Sequence, residues 1–162
     1  MSKKSKELSV ILPTFNEVEN IPVIIPQIMN TLAAAHIDGE VIVVDDNSPD
    51  ATAEAAKRLS QHYPVEVIVR TQDRGLSRAV LAGFEHSEAT VCVVMDADGS
   101  HPVSALPEMV LPILKDEVDC TVGSRNVSGG DSTHWPWYRK VISKSASVLT
   151  MGLTSMSDPT SG

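Results

Sequence analysis

Apolar residues fall along this chain in short dense runs separated by longer stretches with helical spacing. Four runs stand out, Leu8–Leu12, Val41–Val44, Val65–Val69 and Val91–Met95, and a weaker fifth covers Val118–Val122. They are rich in Val and Ile and lack clean alternation with polar residues, as expected of parallel strands buried on both faces. Between and after them the spacing predicts helices over Asn20–Ala35, Ala51–His62, Gly75–His86 and Ser104–Lys115, with a last one over Trp137–Met151. The first gathers Ile21, Ile24, Ile25, Ile28 and Leu32 near one face; the second sets Ala51, Ala55, Ala56 and Leu59 against charges. Repeated β-α units predict a doubly wound α/β fold, a mostly parallel sheet with helices on both faces. In such sheets ligands bind beyond the carboxyl ends of the strands. Three polar clusters fall at those ends, Pro13–Glu17, Asp45–Asp50 and Asp96–His101. Their convergence on one crevice is the main pointer to a functional site.

The last of these clusters is the most specific. An apolar run, Val91-Cys92-Val93-Val94-Met95, ends in Asp96-Ala97-Asp98, and Gly99-Ser100-His101-Pro102 then forces a loop. Acids at i and i+2 on a strand end look toward one side of the sheet edge. Two carboxylates that close repel each other unless one binds a proton or a cation is shared. A hard divalent ion held by one or two carboxylates plus substrate phosphates removes the conflict. The competing reading is an ordinary acidic turn, since Asp and Gly are common loop residues.

Composition narrows the classes. The 162 residues suffice for one domain with a sizeable core, and 42% hydrophobic content marks a globular chain. A net charge of −8 argues against nucleic acid as a partner, which needs a basic face. Lys3, Lys4 and Lys6 read as a solvated tail over residues 1–7. Cys92 and Cys120 fall in predicted buried strands without metal-ligand spacing and read as small buried thiols of a reducing compartment. No apolar stretch reaches membrane-spanning length and no signal peptide opens the chain, so a cytoplasmic location is expected. Residues 123–136, with paired glycines, form a long polar loop that reads either as a lid or as a connector.

Taken in order, Pro13-Thr14-Phe15-Asn16-Glu17, Val43-Val44-Asp45-Asp46-Asn47-Ser48-Pro49-Asp50, Arg74-Gly75-Leu76-Ser77 and Met95-Asp96-Ala97-Asp98 resemble the family 2 inverting glycosyltransferases. With Asp98-Gly99-Ser100-His101-Pro102, Gly123-Ser124-Arg125 and Trp137-Tyr138-Arg139-Lys140-Val141-Ile142-Ser143, the order is most similar to their dolichol-phosphate mannose synthase branch. The resemblance runs from Leu8 to Gly162 and implies the GT-A fold, a Rossmann-like nucleotide-sugar domain, over residues 8–162. Family members continue beyond the point where this chain stops. The resemblance therefore implies a truncated domain lacking acceptor-side basic residues and any membrane-associating part.

Roles carried over by the resemblance are as follows. Pro13, Phe15 and Glu17 would border the base and ribose of the donor, although core packing explains Phe15 equally well. Asp45 and its neighbour Asp46 would accept hydrogen bonds from base or ribose; a turn followed by a helix N-cap is the alternative for this segment, and holds for Asp50. Arg74, before a helix start, would lie near the nucleotide, with a solvated surface Arg as the alternative. Asp96 and Asp98 would hold Mg²⁺ or Mn²⁺ with Ser100 as a third ligand, Ala97 lying against the donor and His101 shaping the loop. Arg125 and Arg139 would clamp the phosphate of a polyprenyl or dolichyl phosphate acceptor, whose lipid brings the enzyme to the cytoplasmic face of a membrane. With a lipid phosphate as nucleophile, inverting transfer from GDP-mannose needs little general-base help, and Asp98, Arg125 and Arg139 carry catalysis.

Other readings remain. A family 2 transferase could use UDP-glucose or a sugar hydroxyl, the latter requiring a general base. A nucleotidyltransferase would carry a Gly-rich basic loop after the first strand, where this chain has Pro-Thr-Phe-Asn-Glu. A nucleotide-binding fragment without activity is the third.

Overall fold

A computed structural model describes residues 6–123. The chain divides into two compact units, Met1–Val118 and Asp119–Gly162. The first builds a four-stranded parallel sheet from β1 (Leu8–Thr14), β2 (Gly39–Asp45), β3 (Val65–Val69) and β4 (Val91–Val94), in the order β3-β2-β1-β4. All four expected runs are strands. The helices are α1 (Ile21–Ala34), α2 (Thr52–Leu59), α3 (Leu76–His86) and α4 (Leu106–Leu114), the last preceded by a 3-10 turn at Val103–Ala105.

Alternate strand residues feed two cores. Leu8, Val10, Leu12, Val41 and Val43 pack with Ile21, Ile24, Ile25, Ile28 and Leu32 of α1, Ala55 and Ala56 of α2, and Leu106 and Val110 of α4. On the opposite face Ile11, Ile42 and Val44 pack with Ala79 of α3. The two central strands are buried almost throughout, whereas the outer pair departs from expectation: Val69 and Val94 are exposed. An outer strand has a neighbour on one side only, and α3 covers β1 and β2 rather than the rims.

The approach of α3 is close. A Cβ built on Gly83 would lie 2.4 Å from Ile11 Cγ2. Contacts that short force backbone or side-chain shifts, so Gly83→Val is expected to destabilise the domain by about 1–3 kcal/mol, read as a lower urea midpoint. An unchanged midpoint would show that α3 moves freely on the sheet.

Three expectations need correction. Residues 118–122 form no strand; Val118, Cys120 and Val122 are exposed. A strand persists only when its N–H and C=O groups find a ladder partner, which this run lacks among the described residues. Cys120 is therefore not a buried strand thiol, although Cys92 is half-buried in β4, its Sγ 3.3 Å from Ser87 Oγ. The second helix is shorter than its periodicity at both ends: Ala51 takes a left-handed conformation (φ 70°) and stands exposed ahead of it, and after Leu59 the chain turns, Gln61 N–H bonding to Arg58 C=O and His62 N–H to Leu59 C=O. The helix over Trp137–Met151 lies outside the described residues, as do Arg125, Arg139 and all but Gly123 of the 123–136 loop.

Candidate functional site

The strand order reverses direction between β1 and β4, the switch point where α/β sheets open a crevice at their carboxyl ends. Loop 1 (residues 15–20) follows β1, loop 2 (46–51) follows β2, loop 3 (70–75) follows β3, and loop 4 (95–102) follows β4. Thr14 and Asp45 are register partners, so loops 1 and 2 leave the sheet side by side. β4 ends earlier, at Val94 opposite Ile11, and Met95 N–H still bonds to Ile11 C=O at 3.1 Å. That register carried forward brings Asp96 out level with Pro13.

The three acids at the end of β2 and in loop 2 are engaged within the protein. Asp45, fully buried, accepts hydrogen bonds from Thr14 Oγ1 (3.1 Å), Ser48 N (2.8 Å) and Ser48 Oγ (2.6 Å). Ser48 Oγ in turn accepts from Asn16 N at 2.9 Å, fixing loop 1 where Asn16 has φ 61°. Asp50 accepts from Val18 N (3.1 Å) and from Thr52 N (3.0 Å) and Oγ1 (2.5 Å), while Thr52 Oγ1 accepts from Glu17 N at 2.9 Å. Ala51 occupies the N-cap position of α2, yet the carboxylate that satisfies the first helical N–H is that of Asp50, the expected capping residue.

Burial pushes the Asp50 carboxyl upward, but the hydrogen bonds from Thr52 and Val18 outweigh it and hold it below its ordinary value of 3.8. A lowered folded-state value means that the ionised form stabilises the fold above the unfolded value, and that this stability disappears as pH falls through the folded one. Asp50→Asn should therefore lower the urea midpoint by an amount corresponding to about 1 kcal/mol at pH 7, the gap to wild type narrowing in acid. A gap independent of pH would show that the charge is irrelevant to the cap.

Asp46 ties loop 2 to loop 3. Its Oδ1 accepts from Arg70 Nη1 (2.7 Å) and its Oδ2 from Gly75 N (2.6 Å), both side chains of the ion pair being 11% exposed. Arg70 escaped the sequence reading, which singled out Arg74 instead. The one available signal was an Arg ending a strand whose neighbour ends in two acids. Arg74 itself is exposed.

Loop 4 is built the other way. Ala97 is buried at 3% exposure while Asp96 and Asp98 on either side are exposed, so the two carboxylates open toward solvent as the i, i+2 spacing implied. Asp98 Oδ1 accepts from Ser100 N at 2.8 Å, tightening the turn at Gly99 (φ 74°), and His101 Nε2 lies 3.3 Å from Asp96 Oδ2. Ser100 is exposed beside them. Among the described residues no group of three or more His, Cys, Asp and Glu stands in metal-holding geometry. Two exposed hard-oxygen donors nevertheless fit Mg²⁺ or Mn²⁺, ions that take one or two carboxylates and complete their shell from substrate phosphates and water. Phe15, 54% exposed, is not a core residue; Pro13 and Glu17 are half-buried beside it, Glu17 Oε2 accepting from Asn20 Nδ2 at 2.6 Å.

Comparison with known proteins places the chain in a family. Residues 9–159 match the family described as Glycosyl transferase family 2. The chain is 44% identical over 160 residues to a dolichol-phosphate mannosyltransferase of Pyrococcus furiosus, covering 96% of this chain and 45% of that protein. It is 41% identical over 146 residues to a polyprenol monophosphomannose synthase of Mycolicibacterium smegmatis, covering 87% and 53%. Among solved structures, a mannosyltransferase from Pyrobaculum calidifontis in complex with GDP-Man and Mn²⁺ aligns with a TM-score of 0.54 and 25% identity, over 68% of this chain and 33% of that one. The chain thus spans about half the length of the curated relatives it matches. Its α/β sheet is that of the GT-A glycosyltransferases, as the motifs implied. A GT-A sheet, an acid pair at the switch point and a family match along nearly all its length together show that this chain belongs to glycosyltransferase family 2.

Proposed function

We propose that the protein transfers mannose with inversion from GDP-mannose to a polyprenyl or dolichyl phosphate, with the help of Mg²⁺ or Mn²⁺. The observation that carries this reading is the difference in burial: Asp45 and Asp46 are buried and bonded inside the protein, whereas Asp96 and Asp98 are exposed at the carboxyl end of β4. The donor lies across loops 1 to 4. Phe15 stacks on its base, Pro13 and Glu17 flank the ribose, and Arg74 offers its charge to the nucleotide, while Asp45 and Asp46 hold the loops beneath it through their internal bonds. Asp96, Asp98 and Ser100 hold the cation, with the Ala97 backbone against the donor. A bound cation at that position offsets the charge that develops on the departing nucleoside diphosphate. Arg125 and Arg139 bring in the acceptor phosphate, whose oxygen is already anionic near neutral pH. Catalysis then rests on positioning and electrostatics.

Names of relatives support the donor and the acceptor class: two are dolichol-phosphate or polyprenol mannose transferases, and the structural neighbour was solved with GDP-Man and Mn²⁺. No helix of the described residues is long and apolar enough to cross a membrane. A peripheral position at the cytoplasmic face, reached through the acceptor lipid, is part of the proposal. Calorimetric titration with GDP, UDP and their sugars, with and without Mn²⁺, tests it. Metal-dependent binding that favours GDP and GDP-mannose is expected. A preference for UDP would move the donor to UDP-glucose or a related sugar, and no binding of any nucleotide would refute the donor site.

A further inference from the structure

Loop 3 is wrapped around one guanidinium. Arg70 continues β3, its N–H bonded to Asp45 C=O at 2.8 Å. Its side chain doubles back along the loop that follows. Nη2 donates to the carbonyl of Asp73, and Nη1 donates to Asp46 Oδ1 and, at 3.4 Å, to the carbonyl of Gly75. The residues on either side of Arg74 are thus both held by Arg70. Both also have backbone that needs holding: Asp73 has φ 49° and Gly75 has φ 127°, a conformation open to glycine alone among common residues. Gly75 N–H closes the circuit on the other oxygen of Asp46. A planar fork with several donors spans these three acceptors, which the single ammonium of lysine does not.

We propose that Arg70 is a positioning residue of the donor site: anchored on Asp46, it fixes the backbone around Arg74 and so sets where that cation meets the nucleotide. It touches neither donor nor cation. This role rests on the proposed function for the placement of the nucleotide. Loosening loop 3 disperses Arg74 over many positions and weakens donor binding while leaving the reacting groups of loop 4 in place.

The test uses Arg70→Met, Arg70→Lys and the double variant Arg70→Met/Asp46→Asn in the full-length enzyme. The double variant removes both charges, so an unpaired buried carboxylate cannot unfold it. Donor KM and GDP dissociation constant are expected to rise roughly ten- to a hundredfold in Arg70→Met and in the double variant, with kcat within about threefold of wild type. Arg70→Lys recovers part of the loss, and amide exchange at residues 73–76 quickens in step with it. A wild-type enzyme that binds GDP, beside a folded double variant that binds it equally well, would overturn the positioning role. A loss confined to kcat would overturn it too. If wild type binds no nucleotide, the proposed function fails and takes this role with it, and amide exchange alone then shows whether Arg70 holds the loop.

Discussion

Asp98→Ala in the full-length protein is expected to lower turnover about a thousandfold while leaving the fold nearly unchanged. Charge stabilisation by a bound divalent ion contributes several kcal/mol to a transition state, and each 1.4 kcal/mol is a factor of ten. Asp98 is exposed, with one oxygen on the Ser100 amide, so its removal opens no cavity. The cost in stability should stay within about 1 kcal/mol. Asp96→Ala should behave alike, and excess Mn²⁺ should recover part of the activity of either single variant but none of the double. Turnover within tenfold of wild type, measured with saturating donor, would show that this acid pair holds no catalytic metal.

Asp46→Ala is expected to act in the opposite way, on stability first. It leaves the Arg70 guanidinium largely enclosed and without its counter-charge, and it strips Gly75 N–H of its acceptor. Breaking one side of a buried ion pair typically costs about 3–5 kcal/mol, a large share of the roughly 5–15 kcal/mol that holds a domain. Urea unfolding should therefore show a much lower midpoint, largely restored in Arg70→Met/Asp46→Asn, where no lone charge remains. A loss below about 1 kcal/mol would mean that the pair is hydrated in solution and that loop 3 is anchored elsewhere.

The contrast between these two variants was only half legible in the sequence. The four Val- and Ile-rich runs mark their strands to within two residues at either end, because buried parallel strands tolerate little else. The core face of α1 could be read at every position, since five aliphatic residues repeat near 3.6. Ala51 could not, because alanine suits a helix and its left-handed backbone is imposed by the loop ahead of it. Val118–Val122 failed for a related reason: its composition suits a strand, but pairing is a property of the partner. For the site, the Asp-Ala-Asp spacing matches the alternation found, Ala97 buried between an exposed Asp96 and an exposed Asp98. Asp-Asp-Asn-Ser-Pro-Asp looked equally available, yet its carboxylates turn inward. That depends on the level register of β1 and β2, which puts Thr14 beside Asp45, and a linear pattern does not encode register. Arg70 stayed hidden for the same reason, since its partner lies 24 residues earlier, just past the end of the neighbouring strand.

The bonds that knit loop 1 to loop 2 join residues 31 to 35 apart, and each lies at the end of the paired β1 and β2. Neither loop can therefore take its shape before those strands have found each other, and neither can keep it after they part. On the proposed donor site, affinity becomes an all-or-none property of each molecule. A variant weakened in the core will behave as a mixture of fully competent and incompetent copies, its apparent dissociation constant scaling inversely with the competent fraction. Saturating nucleotide will then rescue such variants by drawing the population back, so that ligand dose and melting temperature rise together.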